Sequence, residues 1–163
     1  MAKGDIQVRT ADTIVDELNQ LERVISEHAY ALFRDRDGIF GDPVTDWLTA
    51  ERALVWEPAI ELRHKDGQVE VVAALPGVDA KDIDVEVTPQ DVLIKAHVNH
   101  EHTADEGTVQ ICEFSHGKAF RSVHLPESID PSSVKAEYRN GMLWVTATVT
   151  QAAVPQKIDV KVA

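Results

Sequence analysis

One tight turn constrains the fold of this chain more than any other feature. The dipeptide Asn140-Gly141 lies between two alternating apolar runs, and it favours a type I′ turn, in which both central residues have φ > 0. A two-residue loop fixes the register of the two strands, predicted over Val134–Arg139 and Met142–Val149. On one face the opposed pairs are Tyr138 with Leu143, Ala136 with Val145 and Val134 with Ala147. On the other they are Lys135 with Thr146, Glu137 with Trp144 and Arg139 with Met142. A slip of one residue would exchange the two faces, so this register is well specified.

Other segments upstream show the same alternation. The predicted strands are Ile60–Lys65, Gln68–Leu75, Ile83–Thr88, Val92–Val98, Val109–Phe114 and Phe120–Leu125. Turn-forming residues separate several of them, as at Asp66-Gly67 and Pro76-Gly77. Many short strands joined by tight turns are typical of an antiparallel sandwich. We therefore predict a mostly β chain, with an immunoglobulin-like antiparallel β-sandwich over residues 56–150.

The residues before the sandwich follow a helical period. We predict a frayed start over residues 1–12. From Thr13 to Asp37 apolar residues recur at steps of three and four, as in an amphipathic helix. Gly38 is placed to end this helix. Asp42-Pro43 predicts the N-cap and first residue of a second helix that runs to Leu54. We predict an α-helical hairpin in an N-terminal arm, residues 1–55, and a short extended tail, residues 151–163.

Composition argues against several classes of function. The formal net charge of −12 opposes binding to nucleic acid or to an anionic membrane surface. No segment approaches the ~18 apolar residues of a membrane span, and we expect a cytoplasmic protein. Cys112 is the only cysteine, which rules out an intrachain disulfide. No phosphate-binding loop, nucleophile elbow or HExxH motif occurs, so we expect no enzyme and no cofactor.

Several ordered motifs carry a family resemblance. Ala136, Asn140, Gly141 and Leu143 reproduce the signature A-x-x-x-N-G-x-L. Upstream, similar family segments are matched by Trp56–Leu62, Ala74–Val78, Asp82–Val87 and Arg121–Pro126. In these residues the chain resembles the α-crystallin domain of small heat shock proteins, over residues 56–150. The helical arm, from His28 to a W-x-x-A-E motif at Trp47–Glu51, resembles a small bacterial module of unknown function.

The resemblance implies an ATP-independent holdase chaperone. Such a protein binds partly unfolded clients, prevents their aggregation and assembles with itself into dimers and larger homo-oligomers. The alternative is a binding module, a p23-like co-chaperone or scaffold that uses the sandwich for one defined protein partner. A third interpretation is a small assembly protein whose helical module binds an unknown partner.

The tail is the first candidate site. Ile158 and Val160 alternate with polar residues and resemble the family's I-x-I/V anchor, which joins a neighbouring subunit as an extra strand by β-augmentation. The resemblance implies a receiving groove lined by Ile83, Val85, Val87, Val134, Ala136 and Tyr138. The alternatives are a tail that packs on its own sandwich and an incidental apolar end.

The long connection from Asn99 to Lys118 is the second candidate site. In bacterial and plant relatives such an arm crosses to the partner subunit and makes a strand-swapped dimer. The residues implied in the dimer arm are Val109, Ile111, Glu113, Phe114 and Arg121, the last of these in ion pairs near the interface. The alternative is a surface loop.

The same connection is rich in histidine. His97-x-x-His100-x-His102 hints at metal binding, but this spacing fits no strong zinc template. We therefore predict solvated loop histidines and no metal site.

The apolar face of the helices is the third candidate site. Its residues are Ile14, Leu18, Leu21, Ile25, Leu32, Phe33, Phe40 and Trp47. In the family, N-terminal arms contribute much of the contact with unfolding clients. A stripe at helical spacing fits equally well a face that packs within the hairpin or against a partner arm. Both interpretations stay open at this point.

Mild acid is predicted to change the docking of the arm and the size of the oligomer. Between Lys95 and Lys118 there is no Lys or Arg, only four acidic residues and four histidines. Protonation of unperturbed histidines near pH ~6.5 would cancel much of this negative charge. Sedimentation at about pH 7.5 and about pH 5.5 checks the prediction, which an unchanged size distribution would refute.

Overall fold

The computed structural model describes residues 6–11, 13–36, 41–102 and 107–150. Within these ranges a short strand and two helices precede the remaining strands, which form two sheets. The helices are α1 (Val15–Asp35) and α2 (Pro43–Leu54). The strands are β1 (Gln7–Thr10), β2 (Val55–Trp56), β3 (Ile60–Lys65), β4 (Gln68–Ala74), β5 (Ile83–Val87), β6 (Asp91–Val98), β7 (Gly117–His124), β8 (Lys135–Arg139) and β9 (Met142–Thr148).

The predicted helix hairpin is confirmed. Asp42 has extended backbone, and its carboxylate accepts a hydrogen bond of 3.3 Å from the N–H of Val44, which satisfies one unpaired donor of the first turn of α2. The two helices pack against each other, and Ile25 of α1 and Ala50 of α2 are buried. Gly38, the predicted end of the first helix, lies outside the described residues. Neither described helix is long and apolar enough to cross a membrane.

The strands form the predicted β-sandwich. One sheet has the order β1-β5-β6-β7-β2 and the other β3-β4-β9-β8. Inward side chains of both sheets form one core cluster, which includes the fully buried Leu75, Val85, Ile94 and Leu143. The core therefore lies between the sheets, as the alternating pattern requires.

The register of the β8–β9 hairpin is also as predicted. Tyr138 pairs with Leu143 and Ala136 with Val145. Asn140 and Gly141 have φ of 51° and 76°, the positive values of a type I′ turn. The described ladder begins at Lys135, so the predicted pair Val134–Ala147 lies just beyond it.

The prediction of a frayed start over residues 1–12 is wrong for its second half. Gln7–Thr10 forms β1, which pairs in parallel with β5 in the register Gln7 to Asp84 and Thr10 to Val87. Two alternating apolar residues, Ile6 and Val8, are enough for a strand where a sheet edge satisfies the backbone. The short β2 is likewise parallel, to β7, so the sandwich is antiparallel except at the two borders of this sheet.

The predicted strand Val109–Phe114 is also wrong in this single chain. Residues 107–116 contain no strand. A strand requires a neighbour for its N–H and C=O groups, and within the described ranges no edge pairs with this segment.

Replacing Gly141 by Ala is predicted to destabilise the fold more than replacing Gly67 by Ala. Both glycines have positive φ, 76° and 73°, so each substitution costs about 1–2 kcal/mol of backbone strain. A Cβ at Gly141 would also lie 3.3 Å from Cα of Pro76, whereas one at Gly67 meets nothing within 4 Å. Urea unfolding at one protein concentration measures the difference, and equal losses would contradict this packing.

Candidate functional site

The six residues predicted to line the groove share one core. Ile83, Val85 and Val87 of β5 are almost completely buried, and Val134, Ala136 and Tyr138 pack half-buried against the same cluster. The sandwich therefore places the inward faces of β5 and β8 on one core. Whether a groove between these two strands receives the tail stays a prediction, because Ile158 and Val160 lie outside the described residues.

Tyr138 anchors β8 to the segment that follows β4. Its hydroxyl lies 2.7 Å from the carbonyl oxygen of Leu75 and 2.9 Å from that of Val78. Burial raises the pKa of the Tyr138 hydroxyl, which therefore stays a hydrogen-bond donor at neutral pH. The outer edge of β8 pairs with no strand within the described part of the chain.

The edge of β5 is covered by β1 of the same chain. Val8 pairs with the buried Val85, and Ile6 packs against the core cluster. The ladder continues to Ala11, whose N–H donates to the carbonyl of Val87 at 2.9 Å. Sequence reasoning missed this strand, although Ile6-Gln7-Val8 has the same Ile-x-Val spacing as Ile158-Asp159-Val160.

A cluster of ion pairs holds β1 and α1 on the sheet. Arg9 of β1 pairs with Asp84, and it also lies 3.0 Å from Glu86. Lys95 of β6 lies 2.6 Å from Glu86 and 3.3 Å from both Asp84 and Glu17 of α1. We call these five residues the charge cluster. It joins four elements of the protein.

The protonation of the two cations reflects this arrangement. The hydrogen bond and the charge of Asp84 raise the pKa of the Arg9 guanidinium. Burial lowers the pKa of Lys95, but the hydrogen bond to Glu86 and the charge of Asp84 outweigh it, and the net shift is upward. Both side chains therefore stay charged at neutral pH, and the cluster is held by complementary charge.

The connection between β6 and β7 exposes large apolar side chains. Ile111 is 82% exposed, Phe114 71% and Val109 43%. This much exposed apolar surface is unusual for a segment that contacts only its own chain. Glu113 is exposed as well. Arg121, predicted to form ion pairs near the interface, pairs with Glu57 of its own chain, and its buried Nε has no partner among the described residues.

The same connection brings three ligand-type side chains together. Donor atoms of His100, His102 and Cys112 lie within 4.8 Å of one another, and the Sγ of Cys112 is 3.4 Å from Nε2 of His100. The sequence interpretation treated these histidines as solvated and Cys112 as separate from them. Their spacing along the chain gives no signal of this convergence.

The predicted client-contact stripe is divided by the fold. Ile14 and Ile25 are buried, whereas Leu18 and Phe33 are exposed; Leu21, Leu32 and Trp47 are half-buried, and Phe40 lies outside the described residues. Further apolar residues of the two helices, outside the predicted client-contact set, are exposed as well. They are Val15, Val24, Tyr30, Val44 and Leu48.

A groove separates α1 from the sandwich. It has a volume of about 680 Å³ and is lined in part by Leu21, Val24, Val55 and Phe120. Polar side chains, including Lys95 of the charge cluster, form its border. A volume of this size accommodates several apolar side chains.

Replacing Arg9 by Ala is predicted to loosen β1 without loosening the sandwich. Arg9 makes two ion pairs, and exposed pairs contribute roughly 0.2–1 kcal/mol each, so the amide of Ala11 should exchange with solvent roughly 2- to 30-fold faster. Hydrogen exchange of the full chain measures this. The control is Arg63→Ala, which removes ion pairs with Glu61 and Glu70 on β3 and β4. Equal exchange at Ala11 in both variants would show that the charge cluster does not hold β1.

Comparison with known proteins agrees with this geometry. "Spore protein SP21" of Stigmatella aurantiaca is 33% identical over 103 residues, which cover 63% of this chain and 61% of that protein. "Alpha-crystallin" of Mycobacterium bovis is 35% identical over 99 residues, covering 60% of this chain and 66% of that one. The chain thus covers less than two thirds of the length of these relatives.

A solved structure shares the fold. A small heat-shock protein from Xylella fastidiosa superposes with a TM-score of 0.53 at 26% identity, over 65% of this chain and 97% of that one.

Two family descriptions match separate parts of the chain. Residues 20–54 match a protein family of unknown function, DUF2934, in agreement with the resemblance of the helical arm to a module of unknown function. Residues 61–163 match the Hsp20/alpha crystallin family, a range that includes β4 to β9 and the six predicted groove residues. The chain belongs to the Hsp20/alpha crystallin family.

Proposed function

We propose that this protein is an ATP-independent holdase that binds partly unfolded proteins, prevents their aggregation and carries out no catalysis. The observation that carries the proposal is the edge of β5, which pairs with a short segment that contains Ile6 and Val8 at Ile-x-Val spacing. A sheet edge of this kind binds extended polypeptide through main-chain hydrogen bonds. Membership of the Hsp20/alpha crystallin family supports the chaperone role.

The tail of another subunit is proposed to replace β1 on this edge. Ile158 and Val160 have the spacing of Ile6 and Val8, and burying two such side chains contributes roughly 3–5 kcal/mol before ordering costs. β1 spans only four residues, and its Val8 stays 39% exposed. The ion pairs of Arg9 hold β1 on the sheet, but exposed pairs of this kind are weak. β1 is therefore a displaceable occupant, and latching and release become an exchange between two similar segments.

The connection between β6 and β7 is proposed to cross to a partner subunit. Its exposed Ile111 and Phe114 leave apolar surface uncovered in the single chain. β3 offers a matching edge, because it ends its sheet and Leu62 on it is 39% exposed. Pairing of the partner's Val109–Phe114 segment with β3 would cover the exposed apolar side chains and the open edge of β3. The result would be a strand-swapped dimer.

Further assembly and client binding complete the proposal. The Xylella fastidiosa relative is described as having a distinct high order structure, which supports a homo-oligomer here. Exposed apolar residues of the helices, such as Tyr30 and Phe33, would compete with other unfolded chains for client surface.

The net charge of −12 would keep the loaded particle in solution. We place this activity in the cytoplasm, with no nucleic-acid or membrane partner.

Replacing both Ile158 and Val160 by Ser is predicted to reduce the assembly to dimers. The apolar contribution to latching is lost, while the tail keeps its length. Native mass spectrometry of the full chain measures the subunit number, with Asp159→Ser as the matched control. Suppression of citrate synthase aggregation tests holdase activity in the same samples. An unchanged subunit number would exclude the latch, and a wild-type protein without suppression would favour a binding module for one partner.

A further inference from the structure

We propose that His100, His102 and Cys112 form a zinc-binding site that closes the connection between β6 and β7 within one chain. The three donor atoms lie within 4.8 Å of one another. In a tetrahedral zinc site, a sulfur at ~2.3 Å and a nitrogen at ~2.0–2.1 Å from the metal lie about 3.6 Å apart. The Sγ of Cys112 and Nε2 of His100 are 3.4 Å apart, so one edge of the tetrahedron already has the required length.

The donor set selects the metal. Two imidazoles and one thiolate suit a borderline-soft ion, whereas magnesium and calcium require oxygen ligands. Binding would displace the thiol proton of Cys112 to solvent, and water would take the fourth position. Zn²⁺ satisfies this set without a change of oxidation state, and therefore needs no co-reactant.

The surroundings hold the ligands in place and favour a cation. The half-buried ring of His100 packs edge-on against His102 with centroids 4.7 Å apart, and against Phe114 at 5.0 Å. No Lys or Arg occurs between Lys95 and Lys118, whereas Glu101 and Glu113 flank the ligands in sequence. No cationic side chain of this segment would therefore compete with the metal.

The site would act on the path of the chain. His100 and His102 lie just after β6, and Cys112 lies near the far end of the connection. A metal that joins them closes a loop on the order of ten residues, which reduces the freedom of the segment. If the segment crosses to a partner as proposed above, zinc would hold it on its own chain and slow the exchange of subunits. This last consequence rests on the proposed function, whereas the site itself does not.

Titration of the reduced full chain with Zn²⁺ and with Co²⁺ tests the site. We expect one metal per chain, and with Co²⁺ a thiolate charge-transfer band. Cys112→Ser should remove the band, and it or His100→Ala should weaken Zn²⁺ binding by more than the roughly 10–100-fold typical of an outer-shell partner. His28→Ala, an exposed histidine of α1, should change neither. The absence of metal binding, or a Cys112→Ser protein that binds like wild type, would overturn the site.

A mixing experiment tests whether all three ligands come from one chain. Cys112→Ser and the double variant His100→Ala, His102→Ala are combined after each has been shown to fold by circular dichroism. The geometry within one chain predicts that the mixture still lacks the charge-transfer band. Its recovery would place the ligands on different subunits and overturn the proposal. These measurements use the metal alone and do not depend on chaperone activity.

Discussion

The outer edge of β5 has to be covered, and the segment that covers it links the sandwich to the helical arm. Its outer N–H and C=O groups require hydrogen-bond partners, and an uncovered edge invites pairing with any extended chain. In this protein β1 supplies those partners from the same polypeptide. The edge is thus satisfied by a segment that is short, parallel and only partly buried. This combination protects the sheet while leaving its occupant replaceable.

The charge cluster connects that edge to the helical arm. Glu86 is buried, and it contacts Arg9 of β1 and Lys95 of β6; Lys95 also contacts Glu17 of α1. A buried carboxylate needs such partners, because an unpaired charge in this position is costly. Displacement of β1 would remove Arg9 from the cluster and leave Lys95 as its only cation. The position of the helices and the occupancy of the edge are therefore physically coupled.

Much of the fold could be predicted from the sequence because it depends on local signals. β3 has its predicted bounds at Ile60 and Lys65, and the type I′ turn fixed the register of β8 on β9. The N-cap at Asp42 is equally local. β1 could not be predicted in this way, since its signal is two apolar residues and its partner β5 lies more than seventy residues away. No short turn connects the two parallel strands, so no turn motif predicts their pairing.

The candidate sites depend on packing to a greater degree. The six groove residues follow from strand alternation, and the structure places them on one core. The exposed face of the helices does not follow from periodicity, because docking on the sheet decides which apolar residues, such as Ile25 or Tyr30, are covered. The meeting of Cys112 with His100 depends on the path of a strand-free connection, for which no sequence period exists.

Photo-cross-linking from Lys157, beside the tail anchor, shows which surface the tail binds and whether that surface belongs to another subunit. A photoreactive residue at this position in the full chain is irradiated in a mixture of isotopically light and heavy subunits. Mass spectrometry then identifies which chains and residues are joined. If the tail latches onto a neighbouring subunit, cross-links form between different chains, onto β5 and β8. Cross-links confined to the same chain, or between chains at other surfaces only, would contradict it.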